Sequence, residues 1–389
     1  MIKVRVGIFT ECYHPILNGV VVSIDTFREE LEKKGHEFFI FTTRCPGYHE
    51  HSSKVKRYPC MLPFPPKGGR YPISWPRIAR LEAKRIACLD LDIIHSQHLL
   101  GIGHLGLKVG KILGIPTVLT YHTLLAEYTH YFPIFPNLVR NYLIKKSRDI
   151  CNQYDQIVTP SPSMKRVLRA YGVKKPIEPI PTGINPEDFQ NPYPKEELRR
   201  KWQIPEHQKI LLYISRIAKE KNLDFLFKAI ERLAAKRDDF HLLMVGGGPE
   251  LEYYRAKISQ WHLKPFITFT DMQPKKEANR FFGTAWAFVF PSITETQAIV
   301  ILEAMAAGVP AVAVNKMGPT DIIQDSVDGF LVPLKINQLA DRIEQLLDDE
   351  DLRNKMGTQA RQKAQNYTTA STADKMENVY ERTQSHYRS

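Results

Sequence analysis

The sequence predicts an α/β protein built from two parallel-sheet domains, and three observations lead there. At 389 residues the chain is too long for one compact core. Short β-rich runs alternate with helical stretches in both halves, the rhythm of parallel strands covered on both faces. Between the two series, over residues 181–196, turn formers crowd together, from Pro181-Thr182-Gly183 to Asn191-Pro192-Tyr193-Pro194. The expected division is residues 1–184, residues 185–368 and a terminal helical segment, 369–389.

Taken in order, strands are predicted at 4–10, 37–42, 93–95, 117–121, 156–159 and 177–180, with helices at 19–34, 101–113, 137–154 and 161–171. Residues 44–76 break the rhythm with Pro46, Pro59, Pro63, Pro65, Pro66, Pro72 and Pro76, and are expected to form a loop or lid. The second series runs strand 209–215, helix 222–236, strand 240–245, helix 249–261, strand 266–269 and helix 275–282. It continues with a strand over 286–290, a polar loop, a helix stopped by Gly308, and a strand over 310–314. Beyond Val332 the pattern is helical, with breaks near Asp349 and at 366–369.

Composition is that of an ordinary globular protein, 25% charged and 43% hydrophobic. No apolar run approaches the roughly 20 residues a membrane helix needs. The N-terminus runs straight into a strand, so no signal peptide is expected. Five scattered cysteines lack metal-ligand spacing and read as reduced thiols of a cytosolic protein. The net charge of +12 favours an anionic partner: nucleic acid, an anionic membrane face or a phosphorylated ligand.

Five loops following strands could carry chemistry. Glu295 and Glu303 stand eight apart in an almost uncharged segment, the first in the loop opening a helix and the second about two turns inside it. Thr296, Gln297, Ala298 and Ile299 lie after Glu295, so the first-turn amides have no carboxylate beside them and suit a phosphate or sugar hydroxyl. By spacing alone the pair reads more simply as a capping residue and a solvent-facing one. Gly19 opens a helix after the first strand, where backbone can approach a phosphate or simply turn. In Ser215-Arg216-Ile217-Ala218-Lys219-Glu220-Lys221, Arg216 and Lys221 offer a guanidinium fork and an ammonium for a diphosphate, or form a solvated basic loop. Gly246-Gly247-Gly248 makes a tight strand-to-helix turn. His122 ends a strand in the first half, followed by Tyr128, His130 and Tyr131; ligand contact and packing in a loop both fit them.

In combination these motifs resemble the retaining glycosyltransferases of the GT-B fold in family four: two Rossmann-like domains facing a central cleft. The resemblance rests on Ser292-x-x-Glu295 leading to Glu303-Ala304 and Gly308-x-Pro310, on Ser215-Arg216-x-x-x-x-Lys221-Asn222, and on Pro15-x-x-Asn18-Gly19-Val20. It implies that Glu295 and the amides of residues 296–299 hold the donor sugar while Glu303 binds the nucleotide ribose. Arg216 and Lys221 would neutralise the pyrophosphate, Gly19 would lie near it, and Gly246 and Gly247 would line the nucleotide. His122 would contact the donor sugar, and the last helix would cross back to the first domain. Gln297-Ala298 replaces the common Phe-Gly. This variant is similar to the diacylglycerol glucosyltransferase branch, as are Tyr128, His130 and Tyr131 on the acceptor side.

The implied activity is transfer of a hexose, glucose from UDP-glucose, to the 3-hydroxyl of 1,2-diacylglycerol. No cofactor and no essential divalent metal are expected. Alternatives are a family-four enzyme acting on phosphatidylinositol or a soluble acceptor, and a UDP-sugar 2-epimerase. Basic residues cluster beside apolar ones in the first half: Lys67 and Arg70; Arg77, Arg80, Lys84 and Arg85; and Arg140, Lys145, Lys146 and Arg148 against Leu138, Val139, Tyr142, Leu143 and Ile150. That pattern suits an anionic membrane surface, with the protein cytoplasmic and peripheral on the inner face of the plasma membrane. No nucleic-acid motif accompanies the charge, so nucleic acid is not an expected partner.

Overall fold

The structure, a computed structural model, describes residues 3–16, 18–64, 71–74, 78–127 and 136–388. The chain divides into two compact units, Met1–Gly183 with Thr369–Ser389 and Ile184–Thr368. Each is built around a parallel sheet with helices joining most of its strands, the doubly wound architecture.

In the first unit the strands are β1 (Arg5–Phe9), β2 (Glu37–Thr43), β3 (Val55–Tyr58), β4 (Cys60–Phe64), β5 (Tyr71–Ser74), β6 (Ile93–Ser96), β7 (Thr117–Thr120), β8 (Gln156–Thr159) and β9 (Ile177–Pro179). Its helices are α1 (Gly19–Lys33), α2 (Ala79–Ile86), α3 (Gly101–Leu113), α4 (Pro136–Cys151) and α5 (Pro162–Ala170). Seven of the strands form one sheet in the order β3-β2-β1-β6-β7-β8-β9, parallel throughout. The order reverses between β1 and β6, and the loops leaving such a switch point are where doubly wound sheets bind ligands.

Residues 44–76 are a correction to the sequence reading. They hold β3, an edge strand of the main sheet, and β4 and β5, which pair antiparallel as a separate ribbon. Edge and ribbon positions leave backbone N–H groups unpaired in any case, so proline is tolerated there and its abundance misleads.

The second unit contains α6 (Lys195–Trp202), β10 (Lys209–Ile214), α7 (Leu223–Ala234), β11 (Phe240–Val245), α8 (Leu251–Gln260), β12 (Ile267–Phe269) and α9 (Lys275–Phe282). It continues through β13 (Ala287–Phe290), α10 (Ile299–Ala306), β14 (Ala311–Val314), α11 (Gly318–Ile322), β15 (Gly329–Val332), α12 (Ile336–Asp348) and α13 (Glu350–Ala364). Its six-stranded sheet runs β12-β11-β10-β13-β14-β15 and reverses between β10 and β13. Every residue of β11, β13 and β14 is buried, which is why these strands read as near-continuous apolar runs.

The last helix, α14 (Thr369–Arg388), belongs to the first unit and packs on α1. Ala373, Met376, Val379 and Tyr380 join the core made by Val6, Ile8, Val21 and Ile93. Lys34 bonds Asp374 and Glu377, and the His36 Nε2 lies 2.9 Å from the Glu377 carboxylate. His95, on β6, sits between Tyr380 OH at 2.7 Å and Thr120 Oγ1 at 2.6 Å.

Candidate active site

The second unit places the predicted Arg216, Lys221 and Glu295 at the adjacent C-terminal ends of β10 and β13. Lys221 closes a short 3-10 turn, Lys219–Lys221, and its Nζ bonds Glu295 Oε1. Ser292, fully buried, donates its hydroxyl to the same Oε1 at 3.2 Å. Asn222 stands at φ 56° between that turn and α7, and its side chain donates to Pro291 O at 3.2 Å. Two loops 74 residues apart are thereby tied at side chain and backbone. Arg216, at the start of the same loop, bonds Glu220, whose side chain is only 5% exposed. Each cation suited to a diphosphate is thus held in place by a neighbouring carboxylate.

Beyond Glu295 the chain turns into α10 through Ala298, at φ 64° and ψ 51°. This left-handed conformation favours glycine, and alanine accepts it at a cost of roughly 1 kcal/mol. Ala298 supplies no side-chain cap, and the first turn holds no acidic residue. The start of α10 therefore presents uncapped amides in the positive end of the helix dipole. Thr296 and Ile299 are partly exposed, whereas Gln297 and Ala298 are buried. Because α10 begins only at Ile299, Glu303 lies one turn inside it rather than the two expected. Glu303 is partly exposed, and its carboxylate has no hydrogen-bond or ion-pair partner among the described residues. Burial raises its carboxyl above the ordinary range, with Lys275 opposing and Asp188 adding.

Two contacts that sequence reasoning missed fix this loop. Gly318 donates its N–H to Glu295 O at 2.9 Å. A Cβ on Gly318 would come within 2.6 Å of the Gln297 carbonyl carbon, so only glycine permits the approach. Ser292 was visible as the first position of Ser-x-x-Glu; Gly318 carried no local signal. At the end of β11, Gly246 has φ 141°, and a Cβ there would meet Ser215 O at 2.1 Å. Gly247 accepts from Ile217 N at 2.9 Å, so the glycine turn is laced to the Arg216 loop.

In the first unit the loops after β1, β6 and β7 carry the remaining described positions. Gly19 begins α1 behind Asn18, whose side chain accepts from Val20 N and Val21 N. A Cβ on Gly19 would meet no described atom within 4 Å, leaving its approach open. His122 Nε2 lies 2.8 Å from Gln97 Oε1. Burial pushes this imidazole down to about 3, with the neighbouring His98 and His95 adding to the shift. Tyr128, His130 and Tyr131 fall outside the described residues, as do Lys67, Arg70 and Arg77.

Comparison with known proteins fits this geometry. Residues 17–188 match the family described as Glycosyltransferase Family 4, and residues 194–363 match that described as Glycosyl transferases group 1. The chain is 33% identical to an alpha-monoglucosyldiacylglycerol synthase of Streptococcus pneumoniae, the match covering 84% of this chain and 75% of that protein. It is 30% identical to the alpha-monoglucosyldiacylglycerol synthase of Acholeplasma laidlawii, covering 79% of each. Sucrose-phosphate synthase from Thermosynechococcus elongatus shares the fold at a TM-score of 0.75 and 20% identity, over 98% of this chain and 99% of that one. The chain belongs to the family-four glycosyltransferases of the GT-B fold.

Proposed function

We propose that the protein is a retaining glucosyltransferase that moves glucose from UDP-glucose to the 3-hydroxyl of 1,2-diacylglycerol, working from the cytoplasm on the anionic inner face of the plasma membrane. The observation that carries the donor half is the Lys221–Glu295 pair beside the uncapped start of α10. In this reading Glu295 and the amides at residues 296–299 grip the sugar hydroxyls, and Glu303 accepts from the ribose. His122 is a further sugar contact, as the family resemblance implies. The acceptor oxygen bonds to the sugar C1 as the C1–phosphate oxygen bond breaks on the same face, and the departing diphosphate takes the acceptor proton. Arg216 and Lys221 stabilise the charge that gathers on that leaving group. With two protein cations in that role, a chelator should leave the rate unchanged.

The acceptor half is supported by the two glycolipid-synthase relatives and by the exposed face of α4. Leu138 and Tyr142, one helical turn apart, are 66% and 61% exposed among the exposed cations Arg140, Lys145 and Lys146. On α2 and the residue before it, Ile78 and Leu81 stand out beside Arg80, Lys84 and Arg85. Such faces suit an anionic interface. No described helix is long and apolar enough to cross a membrane.

The test combines purified protein, UDP-glucose and vesicles of diacylglycerol with phosphatidylglycerol, with glycolipid sought in the organic extract. Diacylglycerol-dependent glucolipid is the expected result. UDP release without glycolipid would remove the acceptor assignment, and no UDP release would remove the donor assignment. Conversion of UDP-N-acetylglucosamine without an acceptor would replace the reading with an epimerase.

A further inference from the structure

Three histidines stand on neighbouring strands or the loops that leave them, and their ring nitrogens are partnered differently. Both nitrogens of His95 are occupied, by Tyr380 OH and Thr120 Oγ1. His98 uses its Nδ1 to accept the Glu11 backbone N–H at 3.1 Å, so its proton lies on Nε2, 3.9 Å from Cys12 Sγ. His122 is the different one. Its Nε2 meets Gln97 Oε1 at 2.8 Å, while Nδ1 has no partner among the described residues.

Gln97 is well placed to impose that arrangement. It is the first residue after β6, 5% exposed, and its backbone N–H is held by Phe9 O at 2.8 Å. A carboxamide oxygen can only accept, so the His122 nitrogen facing it must carry the hydrogen. A neutral imidazole with its hydrogen on Nε2 keeps a bare lone pair on Nδ1. The titratable groups facing His122, namely His98 and His95, oppose a second proton on the ring.

We propose that Gln97 is a positioning residue that fixes His122 in the Nε2–H form, so that Nδ1 is presented to the donor sugar purely as a hydrogen-bond acceptor. The inference rests on the donor-sugar role assigned to His122 above. It makes His122 neither a cation nor a proton donor in the reaction, but a neutral acceptor for one sugar hydroxyl.

The first measurement is the nitrogen-15 NMR spectrum of the full chain with labelled histidine, with His122 assigned by difference against His122→Asn. Expected is an Nε2–H tautomer that persists from about pH 8 down to about pH 5. An Nδ1–H tautomer, or an imidazolium in that range, overturns the proposal. This readout needs no turnover, so its failure is distinct from a failure of the donor reading, which would show as absence of UDP release by the wild type.

The second measurement is kinetic. Gln97→Leu should lower kcat/KM for UDP-glucose about tenfold, the loss of one oriented hydrogen bond, while thermal melting confirms the fold. Gln97→Glu should stabilise the imidazolium and add an acid limb, its rate recovering as pH rises past about 6.5, the ordinary histidine value. Both variants retaining wild-type kcat/KM and pH profile would overturn the proposal.

Discussion

Lys221 and Glu295 restrain each other in a setting where both are largely shielded from water, at 14% and 22% side-chain exposure. In the proposed reaction, a diphosphate that claims Lys221 must displace this carboxylate, which would free Glu295 for sugar hydroxyls at the same moment. Lys221→Ala removes the proposed leaving-group cation yet leaves Ser292 donating to Glu295, so the fold should survive. Turnover should fall by at least about 100-fold, the usual cost of deleting one charge-stabilising donor. UDP release and a melting curve measured on the same preparation check this, and wild-type activity would sink the assignment.

Glu303 gives a second prediction at this scale. Its carboxyl is held above the ordinary range by burial. It therefore picks up a proton at a higher pH than an ordinary glutamate near 4.3. If the carboxylate accepts ribose hydroxyls, KM for UDP-glucose should climb on acidification before any ordinary carboxylate titrates. Glu303→Gln should give a KM several-fold higher and insensitive to pH over the same range. A wild-type KM that stays flat until ordinary carboxylates titrate would count against the ribose role.

Among the elements, α14 is held by groups whose protonation state matters. Burial holds His95 down to about 3 between Tyr380 and Thr120, so it folds without its proton. Burial pushes Glu377 up, but hydrogen bonds from Lys34 and His36 outweigh it and leave its carboxyl below the ordinary value. Both shifts have the same sign, because the detached state binds more protons than the folded one. Stability from His95 is complete above its ordinary 6.5 and declines as pH falls toward about 3. At pH 5 that loss alone is about 2 kcal/mol. Glu377 adds to it only as pH drops below the usual carboxylate range. Hydrogen exchange of the α14 amides, corrected for intrinsic rates, should therefore quicken between pH 7 and pH 5, and His95→Gln should flatten that dependence. Equal protection at both pH values would refute the coupling.

Legibility divides along the same lines. Strands buried on both faces were plain: Phe240-His241-Leu242-Leu243-Met244-Val245 can hardly be anything else. β3 was not, since Val55-Lys56-Arg57-Tyr58 is an edge strand of mixed polarity inside a proline-rich stretch. In the site, the motif residues could be read because each sits in a strand-to-helix loop with its own local chemistry. Gln97 and Gly318 could not. Gln97 matters only because β6 and β7 are neighbours and bring it to a histidine 25 residues away. Gly318 matters only because another loop's carbonyl lies above it. Sequence spacing carries local geometry and is silent on which loops the sheet order brings together.

For the whole molecule, the excess of 54 basic over 42 acidic residues acts through its distribution rather than its total. A uniformly spread charge of +12 would give weak, salt-sensitive attraction to any anionic surface. Leu138 and Tyr142 add something different, apolar area that gains by leaving water only if a hydrocarbon boundary is within reach. The two contributions separate by experiment. Binding to phosphatidylglycerol vesicles should weaken steeply with salt for the wild type, whereas the uncharged Leu138→Gln/Tyr142→Gln should lose about tenfold or more in affinity at every salt concentration. That variant should still bind UDP-glucose normally, because α4 contributes none of the proposed donor-site residues. Glucolipid formation should then fall in proportion to vesicle binding. Unchanged vesicle affinity in the double variant would mean that charge alone holds the protein to the surface, and α4 would lose its assigned role.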